Sequence, residues 1–374
     1  VRRQRQMCIR DRTYTSRLIE LIKRGREGDN QGLSLGMPKL EHIIDGLTQE
    51  TYYLIAAGTG NGKTSFVLHS FIYKALLDSD SDKDVQFIIF SLEMSAEQLL
   101  AKLLSLHIYE TYGKQISFKE LLSRGKDSTL SDEDYELVQE CIPWLESIED
   151  RLIIHDGTLN SEKYKSLIIE DLKKFGTFVD EDTYELNNPK QIIAVITDHL
   201  GLVRPQLGRS KKEEIDIISA YGVSFRNKCK ISPINIMQFN RNANNAERLK
   251  QGLQEPDLSD LKESGSPSED ANVVLVLFNP FRSKLSTYRG YCIKELKDGF
   301  RSLLVLKNRF GASDVAIGVG FYGRCGIFKE LPSASEINDY DKYKNPDWTI
   351  IDFPDREVEI ERTKKDDLRV TITL

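Results

Sequence analysis

Cysteine is scarce and scattered: Cys8, Cys141, Cys229, Cys292 and Cys325 form no CxxC pair and no metal-ligand spacing. That excludes a disulfide scaffold or a zinc ribbon and predicts reduced, mostly structural thiols of a cytosolic protein. No apolar run approaches the ~18 residues needed to cross a bilayer, and no secretory signal is visible, so no membrane role is expected. An excess of positive charge is missing too. Lys and Arg total 52 against 58 Asp and Glu, a formal charge of −6, which argues against a general polyanion-coating protein but permits a local basic channel.

What is present is length and alternation. With 374 residues, one α/β domain of ~250 residues or more with small appendages is expected. The opening VRRQRQMCIRDR is basic and aperiodic. Residues 1–12 therefore read as a non-native or disordered leader, with a basic arm on nucleic acid as the alternative. Within 13–30, Leu18, Ile19, Leu21 and Ile22 recur at helical spacing, predicting a linker helix that docks on a neighbouring subunit. A short helix is expected over 38–46 and another over 65–77, with strands at 53–55 and 85–90. Ser95 and Gln98 have the spacing of a capping box opening the next helix. Residues 105–175 read as mainly helical, broken at Gly113, Gly125 and Pro143, and 176–190 as a surface insertion or hairpin. Further strands are predicted at 191–197, 234–238, 273–278 and 302–307, the last completing a hairpin with 315–321. Strands alternating with helices mean a mostly parallel sheet covered on both faces, here over 31–335. Residues 336–374 are polar and read as a peripheral extension with one or two short strands.

The sharpest local signal is AAGTGNGKT at 56–64, directly after the apolar run Tyr53-Leu54-Ile55. A strand, a glycine turn and Lys-Thr opening a helix make a nucleoside triphosphate site, because backbone N–H groups in such a turn meet phosphate charge without heavy desolvation. Residues Ala57, Gly58, Thr59, Gly60, Asn61, Gly62, Lys63, Thr64 and Ser65 would form the cradle. Lys63 would reach the β- and γ-phosphates and the Thr64 hydroxyl would sit on Mg²⁺. The strict pattern wants glycine at Ala57, a departure that a small residue tolerates.

Three strand ends carry further candidates. Glu93, in FSLEMS, follows the second strand and could polarise an attacking water, although an acid before a helix also serves as a dipole partner. Asp198 ends the run IIAVITD and could hold Mg²⁺ through its water shell, with a capping aspartate as the plainer alternative. Gln238, in IMQFNR, offers an amide that could sense the γ-phosphate. The long polar loop through SDLKESGS at 259–266 is a binding candidate, although simple exposure is the commoner reason for such a loop.

Taken together, AAGTGNGKT, FSLEMS, TDHLGL, IMQFNR, SDLKESGSPSEDANVVLVL and LKNRFG resemble, in order, the ATPase domain of DnaB-type hexameric replicative helicases, a RecA-like fold, over about residues 31–328. The resemblance implies ATP and Mg²⁺ as cofactors and a homo-hexamer with nucleotide between subunits. It implies Glu93 activating water and Gln238 coupling phosphate state to movement. Lys307 and Arg309 would reach the neighbour's γ-phosphate, Arg309 as arginine finger; composition alone would leave both as a solvated strand end. Lys262, Glu263 and Gly265 would line a channel for single-stranded DNA and contact its backbone. A primase and a helicase loader are candidate partners, although the segment ahead of residue 31 is too short for the family's amino-terminal helical collar.

His199 and Gly201 stand where the family has an aromatic and a glutamine; His199 is expected to be packed or hydrogen-bonded without catalytic duty. Two other readings compete. A RecA-superfamily recombination or repair ATPase is disfavoured by FSLEMS together with LKNRFG. A non-catalytic DNA-binding ring has no chemical use for Lys63, Thr64, Glu93, Asp198 and Arg309 at once.

Overall fold

The computed structural model describes residues 14–26, 28, 30–79, 83–125, 129–180, 183–238, 255–262, 266–344, 358–362 and 368–372. Among the described residues, thirteen strands follow in chain order through residue 330: β1 Tyr53–Ala57, β2 Val85–Ser91, β3 Leu152–Asp156, β4 Gly176–Phe178, β5 Tyr184–Leu186, β6 Ile192–Asp198, β7 Ser232–Gln238, β8 Val273–Phe278, β9 Thr287–Tyr288, β10 Tyr291–Cys292, β11 Phe300–Asn308, β12 Val315–Tyr322 and β13 Ile327–Glu330. Nine of them form one sheet in the order β13-β12-β11-β8-β1-β7-β6-β2-β3. From β3 to β8 all neighbours are parallel. At β11 the direction reverses, and β11, β12 and β13 pair antiparallel.

The sheet is buried on both faces, which is why its strands are continuous apolar runs rather than alternating ones. On β1, Tyr53, Ile55 and Ala57 enter one core with Phe66, Phe71 and Leu103. Tyr52, Leu54 and Ala56 enter a second with Ile168, Ile218 and Phe225. Helices Ala96–Tyr112 and Asp132–Glu149 lie on the first side, and Ser161–Leu172 and Lys211–Cys229 on the second. The 176–190 segment is a two-stranded antiparallel hairpin, as expected.

Residues 105–175 differ from expectation in two places. Leu152–Asp156 is a sheet strand, paired in register with β2 from Phe87↔Leu152 to Ser91↔Asp156. Pro143 does not break its helix, which runs from Asp132 to Glu149. Its missing N–H costs one hydrogen bond; packing offsets that loss, since Trp144, Leu145 and Ile148 meet the first core and Val138 and Cys141 a third cluster. Gly113 does end its helix, in the left-handed region at φ 68. Towards the carboxyl end, Ile337 is buried and Tyr340 and Tyr343 pack against the second core. Val358–Arg362 and Leu368–Ile372 form an antiparallel pair. Among the described residues no helix is long and apolar enough to cross a membrane.

Candidate nucleotide site

The parallel strands bring their carboxyl ends to one edge, and the register places the site residues there. Ala57 is paired with Gln238, and Ser91 with Asp198. Beyond Ala57 the chain turns through Gly60 (φ 70) and Gly62 (φ 95), backbone angles that favour glycine. Lys63 then opens a helix that passes from Lys63–Phe66 through a π-helical stretch Val67–Lys74 into Ala75–Asp78. Ala57 is completely buried within the strand, so the residue that departs from the strict pattern packs in the core rather than in the turn.

Glu93 sits on a tight strand-to-helix turn. The Leu92 N–H donates to the Asp198 carbonyl (2.8 Å) and the Ser91 hydroxyl to the Met94 carbonyl (2.6 Å). Ser95 then caps the following helix in a reciprocal box with Gln98. The Glu93 carboxylate is half exposed, 3.7 Å from Lys63 Nζ. Gln238 donates through Nε2 to the Thr59 hydroxyl at 2.6 Å, tying the third strand end to the glycine turn.

Asp198 is buried, and burial raises its carboxyl above the ordinary range although Thr64 and Lys63 act in the opposite direction. Its Oδ1 has no hydrogen-bond partner. A buried, unpartnered carboxylate oxygen beside a helix-opening threonine fits a hydrated divalent cation held mainly by phosphate oxygens. Among the described residues no three His, Cys, Asp or Glu side chains group as the ligands of an all-protein metal cage. His199 is packed as expected, its Nδ1 accepting from the Gly201 N–H at 3.1 Å. Its Nε2 also comes within 3.9 Å of Glu93 Oε2, and burial followed by Lys63 lowers its basicity.

The sequence reading missed Lys102. This lysine, on the helix behind Glu93, interacts with Asp198, Glu93 and Lys63, and burial lowers its pKa. With Ser65 and the 323–326 turn it lines a cavity. A signal existed: one charge inside LLAKLL, two turns past a helix cap.

Lys307 and Arg309 are not brought to this site. Asn308 pairs with Val273, and Val273 with Tyr53, at the starting end of β1. Roughly 13 Å of strand separates that end from the glycine turn. Lys307 Nζ donates to the carbonyls of Ser268 (3.0 Å) and Glu269 (2.7 Å), and Arg309 Nη2 to that of Glu269 (3.2 Å). Lys262 closes the short helix Ser259–Lys262. Its side chain, Glu263, Gly265 and Arg241 lie outside the described residues.

Comparison with known proteins gives the family and the fold. Residues 32–330 match the family model of the DnaB-like helicase C terminal domain. The chain is 26% identical over 266 residues to the replicative DNA helicase DnaB of Mycoplasma pneumoniae, covering 70% of this chain and 49% of that protein. It is 28% identical over 253 residues to the DnaB of Buchnera aphidicola subsp. Baizongia pistaciae, covering 66% and 46%. The chain thus spans about half the length of the curated relatives it matches. Among solved structures, one described as an ATPase domain superposes with a TM-score of 0.65 at 20% identity, over 86% of this chain and 100% of that one. A DnaB-like replicative helicase, described with its interactions with primase, superposes with a TM-score of 0.64 at 21% identity, over 87% and 70%. These likenesses give the fold as the RecA-like core expected from the motifs. With four-fifths of its length inside one family model, the chain belongs to the DnaB-like helicase C-terminal domain family.

Proposed function

We propose that this chain is the motor of an ATP-driven replicative helicase that works as a homo-hexameric ring, translocates on single-stranded DNA and unwinds duplex. The observation that carries the reading is the convergence of Lys63, Thr64, Glu93, Asp198 and Gln238 on one sheet edge, within a DnaB-like domain. Lys63 would meet the β- and γ-phosphates, Thr64 and Asp198 would hold Mg²⁺, and Glu93, facing solvent, would orient the attacking water. Gln238, the last residue of β7 and bonded to the loop through Thr59, would pass the phosphate state to the segment that follows it. The magnesium ion supplies charge neutralisation on the phosphates.

The linker helix Tyr14–Arg26 leaves Leu18, Ile19, Leu21 and Ile22 about half exposed, which supports its docking on an adjacent subunit. A primase is the partner suggested by the solved neighbour described with one; a loader rests on the resemblance alone. The place of action is the cytoplasm of a bacterium or phage-infected cell.

The test is DNA-stimulated ATP hydrolysis and unwinding of a forked duplex, with the particle mass measured alongside. The expected result is stimulated hydrolysis, strand separation and a six-subunit mass. Stimulated hydrolysis without unwinding would favour the recombination ATPase, and no hydrolysis the scaffold.

DNA contact makes a separate prediction. Lys262→Ala should weaken single-strand binding alike for unrelated sequences and flatten the dependence of log affinity on log salt by about 0.7, the release of one counterion. Salt titration of binding checks this, and an unchanged slope and affinity would move the channel to another segment.

A further inference from the structure

The glycine turn is held from outside by two arginines that no motif marks. Arg301, on β11, is buried, and its Nε donates to the Asn61 carbonyl at 3.0 Å. Its Nη1 donates to the carbonyls of Asp298 and Phe300. The Phe321 ring lies against its guanidinium, 5.0 Å from the centroid, and is itself stacked on Phe328 at 4.5 Å. Arg282, half exposed, donates through Nη1 to the Thr59 carbonyl at 3.1 Å. Its Nε and Nη2 reach the two oxygens of Asp298 at 3.0 and 3.3 Å. The same Asp298 carboxylate accepts from Asn279 at 2.7 Å and lies 3.9 Å from Arg301. Asp298 thus joins the two arginines, bonding Arg282 through its carboxylate and Arg301 through its carbonyl, with the carboxylate charge also near Arg301.

A trans peptide is planar, so its C=O and the N–H of the next residue point in opposite directions. Fixing the Thr59 carbonyl outward on Arg282 turns the Gly60 N–H inward, and fixing the Asn61 carbonyl on Arg301 does the same for the Gly62 N–H. Glycine peptides are those most free to turn, so a loop rich in them gains most from such external anchors. The glycines are also confined sterically. A Cβ at Gly60 would meet Arg282 Nη1 at 2.7 Å, and one at Gly62 would meet the rings of Phe321 and Phe328 at 3.0 Å.

We propose that Arg282 and Arg301, joined by Asp298, are positioning residues that aim the Gly60 and Gly62 amides into the phosphate cradle. The proposal rests on the reading of residues 57–65 as a nucleotide site. Arg301 keeps its charge at neutral pH, since burial brings it down only to about 10. Both guanidinium charges therefore also polarise the peptides they hold, which strengthens the opposing N–H groups as donors. Binding energy for phosphate then comes from groups already oriented in the free protein.

The test is equilibrium binding of ATPγS with Mg²⁺ to the full chain, together with deuterium uptake in the peptide spanning residues 56–64. Losing one charge-assisted anchor should raise the Kd about tenfold in Arg301→Met, Arg282→Gln and Asp298→Asn. The 56–64 peptide should exchange faster in each variant even without nucleotide, a change a remote packing defect would not confine to that peptide. Arg301→Lys, which can still reach one carbonyl, should recover part of the affinity. If Arg301→Met does not fold, the two variants at half-exposed positions decide the matter. Kd values within twofold of wild type and unchanged uptake in Arg282→Gln and Asp298→Asn would overturn the proposal. Failure of the wild-type chain to bind ATPγS would instead remove the nucleotide site itself.

Discussion

Arg309→Ala is expected to bind ATP nearly as tightly as the wild type and to hydrolyse it ~10³-fold or more slowly, the usual worth of a finger that acts on the transition state. The reason for expecting a charge supplied to a neighbour is positional. Arg309 is exposed at the starting end of β1, held to the Glu269 carbonyl, with the whole strand between it and the glycine turn. Its guanidinium has no route to the phosphates of its own chain. Mixing provides the decisive measurement. Glu93→Gln and Arg309→Ala subunits assembled together contain some interfaces with Glu93 intact on one side and Arg309 intact on the other. Such mixtures should regain part of the ATPase activity that neither variant has alone. Absence of recovery despite demonstrated mixing would count against independently working shared sites, and full activity of Arg309→Ala by itself would dispose of the finger.

Lys63→Ala should lose nucleotide turnover by more than about 10²-fold, because it removes a charge aimed where negative charge develops on the transferred phosphoryl group. The neighbouring variant separates binding from chemistry. Glu93→Gln keeps shape and hydrogen bonding but cannot polarise water, so it should retain ATP affinity and turn over slowly. In the structure Lys63 Nζ faces Glu93 at 3.7 Å; a triphosphate that takes up Lys63 would release Glu93 towards water. Single-turnover kinetics beside equilibrium binding check both variants, and wild-type turnover in Glu93→Gln would end the search for the base at that residue.

Much of this arrangement was legible because its signals are local. The glycine turn, the Ser95 and Gln98 box and the apolar runs of β1, β6 and β8 each announce themselves within ten residues or fewer, and all formed. The paired basic residues at the end of β11 were legible only through resemblance. What escaped depends on contacts distant in sequence. Leu152–Asp156 is a short run after a long helix, and it becomes a strand because β2 offers it an open edge. Arg301 meets Asn61 across 240 positions, and nothing in FRSLLVL distinguishes it from any strand-end cation. Lys102 owes its interest to three charges brought in from the helix after β1, the turn after β2 and the end of β6. Arg282 likewise shows its role only through Asp298 and the glycine turn, which it meets from far along the chain.

The reversal of the sheet at β11 has a geometric consequence for assembly. It sets the glycine turn and the Lys307 and Arg309 pair at opposite ends of the same sheet, so in the proposed assembly each subunit would offer two unlike surfaces to its neighbours. A two-fold dimer, which joins like to like, cannot complete a shared site; only head-to-tail contacts can, and these close as rings or run on as helices. A closed ring then has as many complete sites as subunits. In the proposed assembly, a ring parted at one seam to admit a DNA strand would have one fewer, and the subunit left exposed at that seam would hold its nucleotide without a partner to fire it.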